Sequence, residues 1–270
     1  MPIMNGLLNK GTLGATFLMA AAMLSGFRTV NGKMHLHGIT TATDKTVITY
    51  NADKSIAKLV STHKTSDESY VVARIPVYEN GRLVKTLFTD GDESDAPVLF
   101  STFTYSSKGL VEKINYYEDN VVNAYDSLVY NNTGKITARY FFSKQEGKNG
   151  FESHNCQLYT WNAQGNISSM ENMGRLNDKA EFVLSSGISY KYDSKPNAQQ
   201  SIPVLSYIID VTPANLSANN IISETITAVA GNAIVNNYAY TYNASQYPVK
   251  VTATYDGGKE TVATELEWAE

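Results

Sequence analysis

The segment Tyr130-Asn-Asn-Thr-Gly-Lys-Ile136 carries the clearest fold signal in this sequence. An aromatic residue is followed by a small polar residue, two more turn residues, Gly and then an alternating apolar segment. A hairpin loop of this length usually needs a residue with positive φ, which Gly adopts without a Cβ clash. Asn at the loop start can hydrogen-bond the backbone just ahead of it. The stretch therefore predicts a β-hairpin whose incoming strand ends at the aromatic residue.

The same unit recurs along most of the chain. Its copies begin at Tyr50, Tyr78, Tyr105, Tyr130, Trp161, Tyr192 and Tyr242, and the copies at Tyr50, Tyr192 and Tyr242 lack the glycine. Successive starts from Tyr50 to Tyr192 lie 28, 27, 25, 31 and 31 residues apart. An interval of that size holds two strands and two turns, so each repeat corresponds to one hairpin.

Apolar and polar residues alternate on either side of these turns, which predicts strands. We therefore expect an all-β fold, an antiparallel up-and-down meander of repeated hairpins that forms a curved sheet or a partly closed barrel. The pattern breaks over residues 193–223, where prolines punctuate the chain. Thr212-Pro213 is typical of a helix N-terminus, so we predict one short helix near 213–219. A strand is expected over 203–210.

The chain divides into two parts. Residues 1–30 are typical of an export signal, because Lys10 precedes an apolar run over 12–23 that is too short to cross a bilayer as a helix. Leu24-Ser-Gly-Phe27 resembles a bacterial lipoprotein box with Phe27 where the lipidated cysteine would stand. We expect residues 31–270 to form a single repetitive β domain. The predicted location is the periplasm, the outer-membrane surface or the extracellular space.

Composition excludes several classes of function. The formal charge of −4 comes without any basic stretch, which disfavours nucleic-acid binding. The single cysteine, Cys156, has no partner for an intrachain disulfide or a multi-thiolate metal site. A lone cysteine of this kind is expected to pack as a small buried hydrophobe.

Two groups of residues are candidate binding sites. Tyr238, Tyr240 and Tyr242 form a tyrosine row on one strand face, and tyrosine suits contacts with sugars, peptides and partner proteins. The same row is also consistent with cross-strand packing. The second group, Asp90, Asp92 and Asp95, belongs to an acidic turn that could supply oxygen ligands to calcium. The alternative is a solvated acidic turn, and no other cofactor is expected.

The repeat units, together with Tyr192-Asp-Ser-Lys-Pro-Asn197, resemble a group of cell-envelope proteins from Bacteroides-like bacteria, a domain of unknown function with a porin-like fold. They are also loosely similar to the tyrosine–aspartate repeats of large secreted toxin and adhesin shells. The resemblance covers about residues 40–270 and implies a curved antiparallel meander. The lipoprotein cysteine is absent, and Ala198-Gln-Gln200 stands where Pro-Phe is expected. No catalytic residue carries over.

Three functions are consistent with these observations. The leading hypothesis is a non-catalytic envelope module that binds a glycan or an envelope protein, or scaffolds a surface structure. A transmembrane β-barrel is the first alternative, since strands of about 9–11 residues fit one. A secreted carbohydrate-active hydrolase is the second, and it would need two carboxylates across a cleft. The acids available beside the repeats are Glu112, Glu118, Asp119, Asp126, Glu152 and Glu171.

Overall fold

The computed structural model describes residues 34–91, 96–145, 147, 150–177, 179–202 and 204–269. The predicted export signal therefore lies outside the described residues. In the described ranges the chain forms sixteen strands: β1 His35–Thr40, β2 Asp44–Tyr50, β3 Ile56–Lys64, β4 Ser69–Glu79, β5 Arg82–Asp90, β6 Val98–Tyr105, β7 Val111–Glu118, β8 Val121–Tyr130, β9 Ile136–Lys144, β10 Phe151–Trp161, β11 Ile167–Gly174, β12 Val183–Pro196, β13 Asn219–Ala228, β14 Ile234–Tyr242, β15 Pro248–Tyr255 and β16 Glu260–Ala269.

Helices are few and short. Two α-helical turns span Leu205–Ile208 and Pro213–Leu216, and two 3-10 turns span Ala198–Ser201 and Asp256–Gly258. The helix predicted near 213–219 is confirmed by the second α-helical turn. None of the helices in the described part of the chain is long and apolar enough to cross a bilayer.

The strands form one closed antiparallel barrel in which every strand pairs with its sequence neighbours. The meander predicted from the repeats is confirmed, and closure is complete. It is completed by β1 and β16, whose residues Ile39 and Leu266 are cross-strand partners. A closed sheet has no exposed edge that could template aggregation.

The repeat units occupy one end of the barrel. Gly109, Gly134 and Gly165 have φ values of 76°, 78° and 86°, the left-handed conformation that favours glycine. Each turn is followed by a register shift beside the aromatic residue, so that Tyr130 pairs with Ile136 while Val129 pairs with Ala138. The extra residue, Thr137, is a β-bulge. Equivalent shifts adjoin Tyr50, Tyr78, Tyr105, Trp161, Tyr192 and Tyr242.

The aromatic side chains of this end hydrogen-bond backwards to the preceding strand. The Tyr130 hydroxyl donates to the carbonyl of Val111 at 2.6 Å, and the Trp161 indole N–H donates to the carbonyl of Ile136 at 2.6 Å. The same bond joins Tyr50 to Leu36, Tyr105 to Leu83, Tyr192 to Ile167 and Trp268 to Pro248. Each aromatic residue thus links three strands: its own strand, the next strand through its backbone and the preceding strand through its side chain.

The connector between β12 and β13, residues 197–218, closes this same end. The strand predicted over 203–210 is wrong, because Leu205–Ile208 is helical and packs into the barrel core. Leu205 and Val211 are fully or almost fully buried. A barrel of sixteen strands is too wide for its own side chains to fill, so the apolar residues of the connector pack against the aromatic end instead of extending the sheet. We call this the connector end.

The two faces of the barrel wall differ in polarity. Directly opposite residues of antiparallel strands share a face, so the pairs Ile48–Leu59 and Tyr159–Met170 mark the interior. The pair Lys250–Glu265 marks the exterior, where the two side chains form an exposed ion pair at 3.3 Å. Charged residues lie on the exterior of many strands, including Lys45, Lys58, Lys85, Lys113, Glu171, Lys191, Lys250, Glu265 and Glu267.

Candidate functional site

A belt of polar side chains lines the interior between the connector end and the opposite turns. We call it the polar belt, and its members are Thr46, Ser61, Arg74, Thr86, Ser101, Asp126, Arg139, Gln157, Asn172, Ser186, Glu224, Asn236 and Thr264. Apolar residues dominate the interior on the connector side of the belt. The interior of this barrel therefore changes from a packed apolar core to a polar surface along its axis.

Most belt members are paired across neighbouring strands. The hydroxyls of Thr86 and Ser101 lie 2.6 Å apart, and those of Thr46 and Ser61 lie 2.8 Å apart. Asn172 accepts a hydrogen bond from Gln157 at 3.2 Å and donates one to Ser186 at 3.0 Å. Buried polar groups need such partners to offset their loss of hydration, so the belt is compatible with a stable wall.

The most strongly charged part of the belt joins the wall to the connector. Asp126 is fully buried and lies 2.9 Å from the guanidinium of Arg139, which reaches Asp210 of the connector at 2.6 Å. Burial alone would lower the pKa of Arg139, but Asp126 and Asp210 outweigh it and raise that pKa well above its ordinary value. The Tyr116 hydroxyl also donates to Asp126 at 2.7 Å. Arg139 is thus a charged anchor for the connector.

Solvent reaches the tip of the connector inside the barrel. Ile209 is 48% exposed, and the Asp210 side chain is 46% exposed although it contacts the interior residue Arg139. The next residue, Val211, is almost fully buried, and its carbonyl accepts a hydrogen bond from Tyr159 at 3.0 Å. Asp210 therefore marks the boundary between the packed core and the space that opens towards the opposite turns.

The tyrosine row predicted as a ligand surface faces the interior. Tyr238 is only 5% exposed, and its hydroxyl donates to Glu224 at 2.8 Å. Burial, and next the negative charge of Glu224, raise the pKa of the Tyr238 hydroxyl. The rings of Tyr240 and Tyr242 stack with centroids 6.0 Å apart, and Tyr242 donates to Asp193. The row packs across the wall, and its contact with a ligand stays a prediction.

Glu224 is an interior carboxylate with aromatic surroundings. Its Oε1 accepts hydrogen bonds from Asn236 at 2.7 Å and from Tyr238 at 2.8 Å. The Tyr255 ring meets Tyr238 edge-on at 6.2 Å, and Tyr190 is the direct cross-strand partner of Glu224. A carboxylate surrounded by tyrosine rings and hydroxyls offers both apolar faces and hydrogen-bond groups, as sugar- and amine-binding surfaces do.

The predicted acidic turn is only partly within the described residues. Asp90 is exposed at the end of β5, whereas Asp92 and Asp95 lie outside the described ranges. Among the residues that the structure describes, no three His, Cys, Asp or Glu side chains are grouped to hold a metal ion. Calcium binding by this turn stays a prediction.

The six acids considered for hydrolysis are distributed over both faces of the wall. Asp126 lies in the interior and is ion-paired with Arg139, whereas Glu171 lies on the exterior opposite Leu158. Glu152 contacts His154 at 3.1 Å, and Glu118 accepts a hydrogen bond from Asn123 at 2.7 Å. Cys156 is buried and free, in agreement with its predicted packing role.

Sequence reasoning missed the polar belt, although Asp126 appeared among the acids. In a strand of alternating polarity, Thr, Ser and Asn are normally assigned to the face that contacts solvent, so their interior position was not expected. The available signal was the position of acidic or amide residues two places from apolar or aromatic residues, such as Glu224 with Ile226 and Asn236 with Tyr238. Such residues share one side of a strand and so share the interior.

Comparison with known proteins gives a fold but no family. No family model and no curated protein matches the chain. The structure is similar to a porin-like protein from Bacteroides uniformis, with a TM-score of 0.55 and 12% identity over 87% of this chain and 96% of that one. A porin-like protein from Bacteroides vulgatus matches over 88% and 99% of the two chains, with a TM-score of 0.48 and 12% identity. The first likeness shows a shared porin-like barrel fold.

Proposed function

We propose that the protein is an exported envelope barrel that works in water and binds a polar ligand, such as a glycan, inside its wall without catalysing a reaction on it. The observation that carries the proposal is the polarity of the two faces. The exterior bears charges within its strands, such as the Lys250–Glu265 pair, while the interior combines the polar belt with tyrosine rings.

The exterior supports an aqueous setting. A lipid-facing barrel surface carries an apolar band about 25 Å tall, and a Lys or Arg at its middle costs about 2–4 kcal/mol. Lys45, Lys113 and Lys191 lie on the exterior of three different strands, well separated around the barrel. Each of these charges interrupts the apolar surface of the exterior at its own position.

The interior supports ligand binding. Solvent reaches the level of Asp210, and the residues beyond it towards the opposite turns include hydroxyls, amides and aromatic rings. Ligand sites combine apolar and aromatic lining with a few placed polar groups. Sugars present flat apolar faces and many hydroxyls, so tyrosine rings next to Asn236 and Glu224 suit a glycan.

A first experiment separates this proposal from both alternatives. The full-length protein is exported by a bacterial host, purified without detergent and passed over immobilised polysaccharides, while soluble glycans are checked for cleavage. We expect soluble protein, retention by at least one glycan and no cleavage products. A requirement for detergent would support a transmembrane barrel, which the strand number of sixteen favours. Release of shorter sugars would support a hydrolase.

A second experiment tests whether the ligand binds in the interior of the barrel. Glu224→Gln changes one interior carboxylate to an amide of the same shape, and Glu171→Gln makes the same change on the exterior. We expect Glu224→Gln to weaken glycan retention about tenfold, since a hydrogen bond to a charged group contributes about 1.5–3 kcal/mol. Glu171→Gln is expected to leave retention unchanged. Equal effects of the two substitutions would contradict an interior site.

A further inference from the structure

Arg74 is a charged residue that faces the interior of the barrel and has no ionic partner among the residues that the structure describes. It lies on β4, where its cross-strand partners are Leu59 on one side and Phe88 on the other. Its guanidinium carbon lies 3.3 Å from the centroid of the Phe100 ring and 5.4 Å from that of Phe88. The head group is therefore held against aromatic faces in the interior of the wall.

The guanidinium is incompletely satisfied there. Among the described residues, its Nη1 atom is buried and has no hydrogen-bond partner. Arg139, the other arginine of the polar belt, binds Asp126 and Asp210. Burial lowers the pKa of Arg74 to about 10, so the group still carries its charge at neutral pH. A buried cation without a hydrogen-bonding counter-ion is costly.

The aromatic rings offset only part of this cost. A cation over a ring gains about 0.5–2 kcal/mol, but a ring face does not accept hydrogen bonds as an oxygen does. The T-shaped contact between Phe100 and Tyr116, with centroids 6.0 Å apart, fixes the ring beneath the guanidinium. The rings therefore orient Arg74 and leave its Nη1 hydrogens for another acceptor.

We propose that Arg74 anchors an oxyanion, a carboxylate, sulfate or phosphate group, carried by the ligand that enters the barrel interior. The planar guanidinium presents parallel N–H donors that match two oxygens of such a group. Phe88 and Phe100 would contact the apolar part of the ligand next to its charged group. The inference rests on the proposed function for the presence of a ligand, and it adds that the ligand is acidic.

The test uses titration calorimetry on the full-length protein at constant ionic strength set with chloride. The probes are sodium glucuronate, sodium sulfate and sodium phosphate, with glucose as the neutral counterpart of glucuronate. The variants are Arg74→Gln and Arg74→Lys, and the matched control is Arg82→Gln, which removes the same charge from an exposed residue at the connector end. Thermal unfolding of every variant reports whether it is folded.

We expect at least one oxyanion to bind the unchanged protein saturably, and Arg74→Gln to weaken that binding about tenfold or more. Arg74→Lys keeps the charge but lacks the paired donors, so it should bind with intermediate affinity. Arg82→Gln should bind as the unchanged protein does. The identity of the strongest probe distinguishes a carboxylated sugar from a sulfate or phosphate source.

Arg74 is also expected to affect the unfolding temperature of the protein when no ligand is bound. Replacing an unpaired buried cation with an apolar residue of similar length removes its desolvation cost, so Arg74→Met should unfold at the same or a higher temperature than the unchanged protein. A purely packing role for Arg74 would instead lower the unfolding temperature of Arg74→Met and leave oxyanion binding unaffected by Arg74→Gln. That result would overturn the inference.

Failure of this inference is distinguishable from failure of the proposed function. Binding of neutral glycans that is insensitive to Arg74→Gln but reduced by Glu224→Gln would overturn the oxyanion site and retain the ligand-binding barrel. Oxyanion binding of equal strength in all variants would show a general salt effect, which stabilises many proteins without a site. It would likewise overturn the inference.

Discussion

The Tyr130 hydroxyl donates a hydrogen bond to the Val111 carbonyl at 2.6 Å, although Tyr130 pairs through its backbone with Ile136 on the other side. One side chain thereby fixes the junction between two successive hairpins. The repeated motif is consequently a device for joining hairpins as well as for turning the chain.

We predict that Tyr130→Phe lowers the free energy of unfolding by about 1–2 kcal/mol, because the Val111 carbonyl loses its side-chain donor while the ring remains. Urea unfolding monitored by circular dichroism measures the change. Tyr140→Phe is the matched control, since the Tyr140 hydroxyl makes no hydrogen bond in the described ranges and its ring contacts Phe182 at 6.0 Å. A loss of the same size in the control would refute the role of the hydroxyl.

The two acids that bind Arg139 should contribute unequally to stability. Asp126→Asn leaves a buried guanidinium with one carboxylate and should lower the free energy of unfolding by about 3 kcal/mol. Asp210→Asn removes a half-exposed carboxylate and should cost less than about 1 kcal/mol. Urea denaturation of the two variants measures both effects. Equal costs would mean that the Asp126 site is more hydrated than its burial indicates.

The barrel should lose stability at high pH as its tyrosines ionise. Burial raises the pKa of Tyr78 to about 12, and it also raises the pKa of Tyr130 and Tyr192. An unfolded tyrosine ionises near pH 10. The folded pKa is the higher one, so the stabilisation is fully present below about pH 10 and is lost as the pH rises through the folded values.

Tyrosine absorbance at 295 nm, recorded during an alkaline titration, tests this expectation. In the folded protein, much of the ionisation should occur above the pH at which tyrosines ionise in concentrated urea, and it should coincide with unfolding. Titration curves that coincide in the folded protein and in urea would contradict the burial of the tyrosine hydroxyls.

Two neighbouring residues on β15 should differ strongly in how much stability a new charge costs. Val251 is fully buried in the interior, so Val251→Glu should lower the free energy of unfolding by about 3 kcal/mol or more. Thr252 lies on the exterior, and Thr252→Glu should change the free energy of unfolding by less than about 0.5 kcal/mol. Thermal unfolding of both variants, purified without detergent, measures the difference. A severe effect of Thr252→Glu would argue for an apolar environment outside the wall.

The hairpins could be predicted because their turns are local. Gly134 adopts the positive φ that its place in the motif requires, and Tyr130 ends its strand as expected. The bulge at Thr137 could not be predicted, since it depends on how the Tyr130 side chain reaches across to Val111. One inserted residue exchanges the two faces for the rest of the strand, so the sequence alternation did not show which side is interior.

The connector shows where local reasoning fails. The run from Val204 to Ile209 is as apolar as a buried strand, and its length fits one. It became helical because the barrel around it already pairs β12 with β13, leaving no partner strand for residues 203–210. Strand β1 was not predicted, because it lacks a motif and follows the export signal in the sequence. Arg74, in turn, has no sequence pattern that distinguishes an interior cation from an exterior one.

The seam between β1 and β16 brings His35 opposite Ala269. Because the strand pairings form a closed ring, the same pairings are compatible with a chain that starts at a different strand. Joining the end of β16 to the start of β1 with a short linker, and opening the chain at an exposed turn such as Asp119-Asn120, would give a circularly permuted barrel with all sixteen pairings intact. The architecture thus has no unique beginning.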